Sequence, residues 1–291
     1  MTSIADCLRE LPPWAARLNQ AQHVVVGIGE GFSAAAGLDE DSLELAQRWL
    51  PGFTELGLDS LRAIRAIIGP LKQNRPEVYW GFWGQYLLQV QYDLEVLAPY
   101  RQLARLAEER DCFFAAVTAD GQLERAGIPE NRRFTPLGDG RLFQCAQPCC
   151  DQLFPNEEQL RTMVEYLMTP REIDTRDVPA CPRCGGPLIP NLKAAAGEAF
   201  VEGPHLAGYD DYTAFLSRCA GQPVLLLELG VGPEEAGAVI RRPLEQLALS
   251  NPQATLLRVG REVPPLPAAL GERGLCLEMD PVVALDTLLK G

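Results

Sequence analysis

The sequence predicts an α/β fold, a Rossmann-like parallel sheet with helices on both faces, and three observations point to it. First, Val24-Val25-Val26 runs into Gly27, Gly29 and Gly31 and then into the small-residue stretch from Ser33 to Leu38. That order reads as a buried strand, a tight loop and a helix start. Second, the last third of the chain alternates amphipathic helical patterns with continuous apolar runs: YDDYTAFLSRCA, PVLLLELGVG, EEAGAVIRRPLEQLALSN, ATLLRVG, GLCLEM and DPVVALDTLL. Strands buried on both faces and covered by crossover helices have this pattern. Third, CFFAAV at 112–117 forms another short apolar run, whose carboxyl end opens into Thr118-Ala119-Asp120-Gly121. Open α/β sheets bind their ligands at such strand ends.

Taken in order, residues 1–39 give the first part of this domain, with a helical pattern over 4–22 interrupted at Pro12-Pro13. Residues 40–100 contain no convincing strand and carry Trp49, Phe53, Tyr79, Trp80, Phe82, Trp83, Tyr86 and Tyr92. They read as a helical insertion over one side of the glycine loop, its aromatics mainly core and some walling a pocket. The Rossmann-like domain continues over 101–140, a metal-binding module takes 141–192, and 193–291 complete the sheet.

With 26 basic against 39 acidic residues the net charge is -13, which repels nucleic acid and anionic membranes. No apolar run reaches membrane-spanning length and the first residues lack the blocks of a signal peptide, so a cytoplasmic location is expected. In that compartment close cysteine pairs read as metal ligands. The chain has two such pairs: Cys145-x-x-x-Cys149, with Cys150 beside it, and Cys181-Pro-Arg-Cys184-Gly-Gly. Four thiolates on two turns suit a closed, structural zinc site, the second ligand of the first turn being Cys149 or Cys150.

The glycine loop reads as a phosphate cradle, in which glycines admit a pyrophosphate and free backbone N–H groups receive it. On that reading Gly29→Val blocks the phosphate space and leaves the fold intact. Leu229-Gly230-Val231-Gly232 places further glycines at another strand end, where they approach the same ligand.

Together these pieces resemble the sirtuin family over nearly the whole chain, and most closely the macrodomain-linked class M sirtuins, which transfer ADP-ribose from NAD to protein. The resemblance rests on GIGEGFSAAAGL, DGQLERAG, GDGRLFQC, CPRCGGPLIPNLK, LLLELGVG and SNPQATLLRVGRE, in family order. It implies NAD contacts from Gly27, Gly29, Ser33, Gly37, Asp120, Gly230 and Gly232 and a zinc set of Cys145, Cys149, Cys181 and Cys184. It also implies an acceptor protein as partner, with a lipoyl carrier or a macrodomain-operon protein as the examples.

Two positions depart from the family. Thr118 stands where a T-Q-N-I-D loop carries Asn, and Leu137 stands before Gly138 where deacylating members carry His and class M members Gln. A hydrocarbon takes no proton from a ribose hydroxyl, which argues against lysine deacylation. Positioning and electrostatics still serve glycosidic cleavage, with Asp120 as the carboxylate and Thr118 and Leu137 as the altered catalytic positions. The expected function is sirtuin-type, NAD-dependent protein mono-ADP-ribosylation; the alternative is a catalytically impaired pseudo-sirtuin that binds NAD or ADP-ribose as sensor or scaffold. Of the remaining polar residues, Asp139 reads as a turn cap, Glu30 as exposed, His23 as structural and His205 as an exposed loop residue.

Overall fold

The computed structural model describes residues 4–291. Six strands form one sheet: β1 (His23–Ile28), β2 (Asp111–Ala116), β3 (Arg133–Phe134), β7 (Val224–Leu229), β8 (Ala254–Gly260) and β9 (Gly274–Glu278). Their spatial order is β3-β2-β1-β7-β8-β9, and every pairing is parallel. The Val24–Ile28 run obeys the two-residue period of a strand buried on both sides. Val24, Val26 and Ile28 face a core that includes Trp14, Tyr100, Leu103 and Leu285. Val25 faces the opposite core, with Tyr212, Phe215, Ile240 and Leu244. The helices supplying these residues, Pro12–Gln20, Ala98–Glu109 and Pro281–Lys290 on one face and Leu206–Arg218 and Glu235–Ser250 on the other, complete the three layers.

Register positions the site. Ile28 lies beside both Ala116 and Leu229, so β1, β2 and β7 end level and their following loops emerge side by side. The order reverses at β1, which makes this edge the topological switch point of the sheet.

Residues 40–100 fold as helices Leu43–Trp49, Pro51–Thr54, Leu61–Ile68 and Pro76–Leu87, the last running into a π-helical turn at Leu88–Asp93. The aromatic-rich segment packs as a separate core, in which the Phe82 and Tyr86 rings stack at 5.7 Å. A second, three-stranded antiparallel sheet, absent from the sequence reading, shares that core: β4 (Gly138–Cys145), β5 (Phe154–Pro155) and β6 (Leu188–Leu192) in the order β5-β4-β6. Among the described residues no helix is long and apolar enough to cross a membrane.

Candidate active site and metal centre

The first element of the site is the turn after β1. Glu30–Ser33 form one helical turn that widens into the π-helical Ala34–Leu38, where Gly37 takes φ +110°. Phe32 anchors this turn; it is fully buried, edge-on to Tyr100 at 5.3 Å. Burial of such a ring contributes about 1.5–3 kcal/mol. The anchor turns Ser33 toward the loop after β2.

There the Ser33 hydroxyl donates to Asp120 Oδ2 at 2.6 Å, and the Tyr100 hydroxyl donates to the same oxygen at 2.8 Å. The Gln122 amide donates to Asp120 Oδ1 at 2.9 Å. All three donors are uncharged, so the buried carboxyl group is held in place by hydrogen bonds alone. Burial, then the Asp120 charge, pushes the Tyr100 hydroxyl well above the usual tyrosine range, so it stays protonated as a donor. Tyr100 carries no sequence signal for this role: in APYRQLARLAEE it reads as one more residue of the buried stripe.

Asp120, Ser33, Thr118 and Leu137 all line one cleft of about 540 Å³, bounded on its other side by the helical insertion. That volume lies within the roughly 300–1,000 Å³ of ordinary small-molecule and cofactor sites. Leu137 is half-buried, its carbonyl accepting from the Lys193 amide at 2.9 Å. From the insertion, Trp49 and Tyr86 reach the cleft together with Arg62 and Arg65. Arg65 grips the Glu40 carboxylate with two guanidinium nitrogens, one at 3.0 Å, and Tyr86 donates to Glu40 at 2.7 Å. Burial pushes the Glu40 carboxyl up, but the Arg65 charge and these hydrogen bonds outweigh it and hold the group below its ordinary value. Arg62 bridges Asp41 at 3.0 Å and Glu30 at 3.2 Å. Glu30 is exposed, as expected, and Arg62 is its partner.

The glycines of the two strand-end loops meet each other. Gly29 N–H donates to the Leu229 carbonyl at 3.0 Å, and Gly31 N–H donates to the Gly230 carbonyl at 3.0 Å. Those two N–H groups, expected free for phosphate, are taken by the end of β7 and the first residue after it. A Cβ at Gly29 would stand 2.2 Å from the Gly230 oxygen. The expected effect of Gly29→Val is corrected accordingly: the side chain meets backbone and disrupts the loop pair. Gly27 lies in β1, where a Cβ would meet Ile240 at 2.5 Å; Gly230 takes φ +62°; Gly232 lies against the Glu234 side chain; Gly37 faces open space.

Other side chains resolve by geometry. Asp139 accepts from the Arg141 amide at 2.9 Å and pairs with its guanidinium, a local cap at the irregular start of β4. His23 pairs with Asp111 at 2.8 Å at the far end of the sheet. His205 is not an exposed loop residue. It is half-buried, stacked on Phe200 and 2.7 Å from Asn191 Oδ1, and burial lowers its pKa.

The cysteine turns converge. The sulfurs of Cys145, Cys149, Cys181 and Cys184 lie within 4.8 Å of one another, with Cys145–Cys184 and Cys149–Cys181 each at 3.7 Å. Tetrahedral zinc with Zn–S bonds near 2.3 Å sets sulfurs about 3.8 Å apart, so the set fits this ion. The CPRCGG turn is a folded knuckle: Gly185 N–H donates to the Cys181 carbonyl at 2.8 Å, and Gly186 N–H points at Cys184 Sγ at 3.4 Å. Cys150 lies outside the set, its sulfur 3.9 Å from that of Cys149.

Solved structures similar to the chain include Sir2 proteins. A Sir2 homologue in complex with NAD aligns over 96% of this chain and 92% of that one, with TM-score 0.60 and 16% identity. A mutant Sir2 homologue bound to ADP-ribose aligns over 96% and 95%, with TM-score 0.59 and 15% identity. The chain has the fold of these Sir2 structures. Two curated relatives are also similar to it. A protein ADP-ribosyltransferase of Staphylococcus aureus is 25% identical over 278 residues, 94% of this chain and 85% of that protein. A probable bifunctional ADP-ribose hydrolase/ADP-ribosyltransferase of Fusarium oxysporum f. sp. cubense is 30% identical over 255 residues, 84% of this chain, and the chain spans 41% of that longer protein. No protein-family model matches.

Proposed function

We propose that the chain is an NAD-dependent protein mono-ADP-ribosyltransferase. The observation that carries this reading is the uncompensated Asp120 carboxylate, held by Ser33 and Tyr100 at a cleft whose facing position, Leu137, is a hydrocarbon. The relatives named as ADP-ribosyltransferases support it. NAD supplies an ADP-ribosyl group whose leaving group, nicotinamide, departs without needing a proton.

Each residue then has a task. Asp120 presents negative charge where positive charge develops on the ribose, and its fixed hydrogen bonds mean that no reorganisation is needed at that moment. Ser33 and Tyr100 keep it aimed. Thr118 offers one hydroxyl, which donates and accepts, to the ribose side of the cleft. Leu137 excludes water and accepts no proton, so the favoured acceptor is one already anionic at neutral pH, on a partner protein. Gly29, Gly37, Gly230 and Gly232 shape the loops on which the dinucleotide lies, and Gly27 lets the Glu235–Ser250 helix pack against β1 beneath them.

Calorimetric titration of the zinc-loaded protein with NAD and with ADP-ribose, followed by an assay of nicotinamide release, tests the proposal. Micromolar NAD binding with release of nicotinamide is expected. Tight ADP-ribose binding with no release would replace the transferase by a sensor.

A further inference from the structure

Behind the Thr118–Gly121 loop lies a small polar pit lined in part by Gln91, Thr118, Asp120 and Glu124. Gln91 belongs to the π-helical turn Leu88–Asp93, a helical irregularity that frequently accompanies functional sites. The residue is 2% exposed, and its Nε2 donates to the Ala119 carbonyl at 2.8 Å. A carbonyl only accepts, so the amide nitrogen must face the Ala119 carbonyl, which leaves the amide oxygen beside Gly121. That oxygen is buried and has no hydrogen-bond partner among the described residues.

Two glycines make room for this side chain. A Cβ at Gly121 would stand 2.5 Å from Gln91 Oε1, and one at Gly140 would stand 2.6 Å from Nε2. The loop is therefore gripped from both sides, at Asp120 by Ser33 and Tyr100 and at Ala119 by Gln91. A buried acceptor without a partner lowers stability relative to an apolar side chain of the same shape. A residue that weakens the fold, yet has space cut for it by two glycines, marks a local departure from stability of the kind found at functional sites.

We propose that Gln91 is a positioning residue: through the Ala119 carbonyl it sets the angle at which Thr118 and Asp120 enter the cleft. This rests on the reading of the cleft as the NAD site. The test compares wild type with Gln91→Met, which keeps length and flexibility and removes both polar atoms, by NAD calorimetry and by thermal melting without ligand. The expected result is an NAD Kd raised about tenfold, equivalent to about 1.4 kcal/mol, with the ligand-free melting temperature changed little, because losing the unpaired Oε1 offsets losing the donor to the Ala119 carbonyl. Gly140→Ala pushes the same amide from outside the loop and is expected to weaken NAD in the same direction. A lowered melting temperature with wild-type NAD affinity in Gln91→Met would show a packing role only and overturn the proposal, as would wild-type affinity in both variants. Failure of the wild type itself to bind NAD would overturn the reading of the cleft, a result visible before either variant is compared.

Discussion

Two carboxylates are buried near the same edge of the sheet, and they are treated in opposite ways. Glu228, in β7, stands in register with Arg258 of β8, and both side chains are fully buried beneath the helix Glu235–Ser250. Arg258 Nε reaches Glu228 at 2.6 Å, and its other nitrogens reach Glu245 and the Pro264 carbonyl. Burial pushes the Glu228 carboxyl up and the Arg258 contacts pull against it. Asp120, by contrast, has two hydroxyls and one amide N–H and no ion-pair partner within reach among the described residues. Glu228 is a strut whose charge is paired inside the protein, whereas Asp120 lines the cleft with hydrogen-bond donors alone around it.

The largest effect that would test this contrast belongs to the strut. Arg258→Met leaves Glu228 buried and unpaired and is expected to lower unfolding stability by about 3–5 kcal/mol, read from urea melts. A small change would put Glu228 in the same class as Asp120. Next comes Asp120→Asn, which keeps the shape and the hydrogen-bond acceptor at one oxygen but removes the charge. Nicotinamide release is expected to fall about 100-fold with stability near wild type. A stability loss as large as that of Arg258→Met would make Asp120 a second strut. The smallest effect concerns Glu40, whose charge is shared between the two behaviours because its arginine lines the cleft. Its folded pKa lies below the ordinary glutamate value of 4.5, so its contribution to stability is present above that pH and is lost as pH falls through the lower folded value. The stability difference between wild type and Glu40→Gln should accordingly be constant near neutrality and shrink on acidification; a difference that grows instead would reverse the assigned sign.

What could be read from sequence follows from how local each signal is. The apolar run of β1, the parallel alternation after Tyr209 and the two cysteine turns are contiguous patterns, and each has its structural counterpart. The β4–β6 sheet was missed because its strands carry Gly138, Gly140 and Pro190 and a register shift between Asp139 and Phe143, which erase the two-residue period. The partners that fix Asp120 lie in distant elements. Tyr100 sits within an amphipathic helix and Gln91 within an apolar helical run, so nothing in either local pattern separates them from core and surface neighbours. Asp120 was singled out by its place in a loop at a strand's carboxyl end and by the family resemblance, and the structure sets it at the cleft. The glycines were legible as glycines, but the reason for two of them was not, since the atom that forbids a side chain at Gly29 lies two hundred residues further along the chain.

That interlock has a consequence for how the protein changes. Gly29 and Gly230 each forbid a side chain at the other's doorstep: a Cβ at Gly230 would meet the Phe32 amide nitrogen at 2.1 Å, as one at Gly29 meets the Gly230 oxygen. The two loops therefore form one mutational unit. Grafting the β1 loop of another protein into this chain requires its β7 loop as well, and a chimera with a crossover between them inherits a collision that neither parent contains.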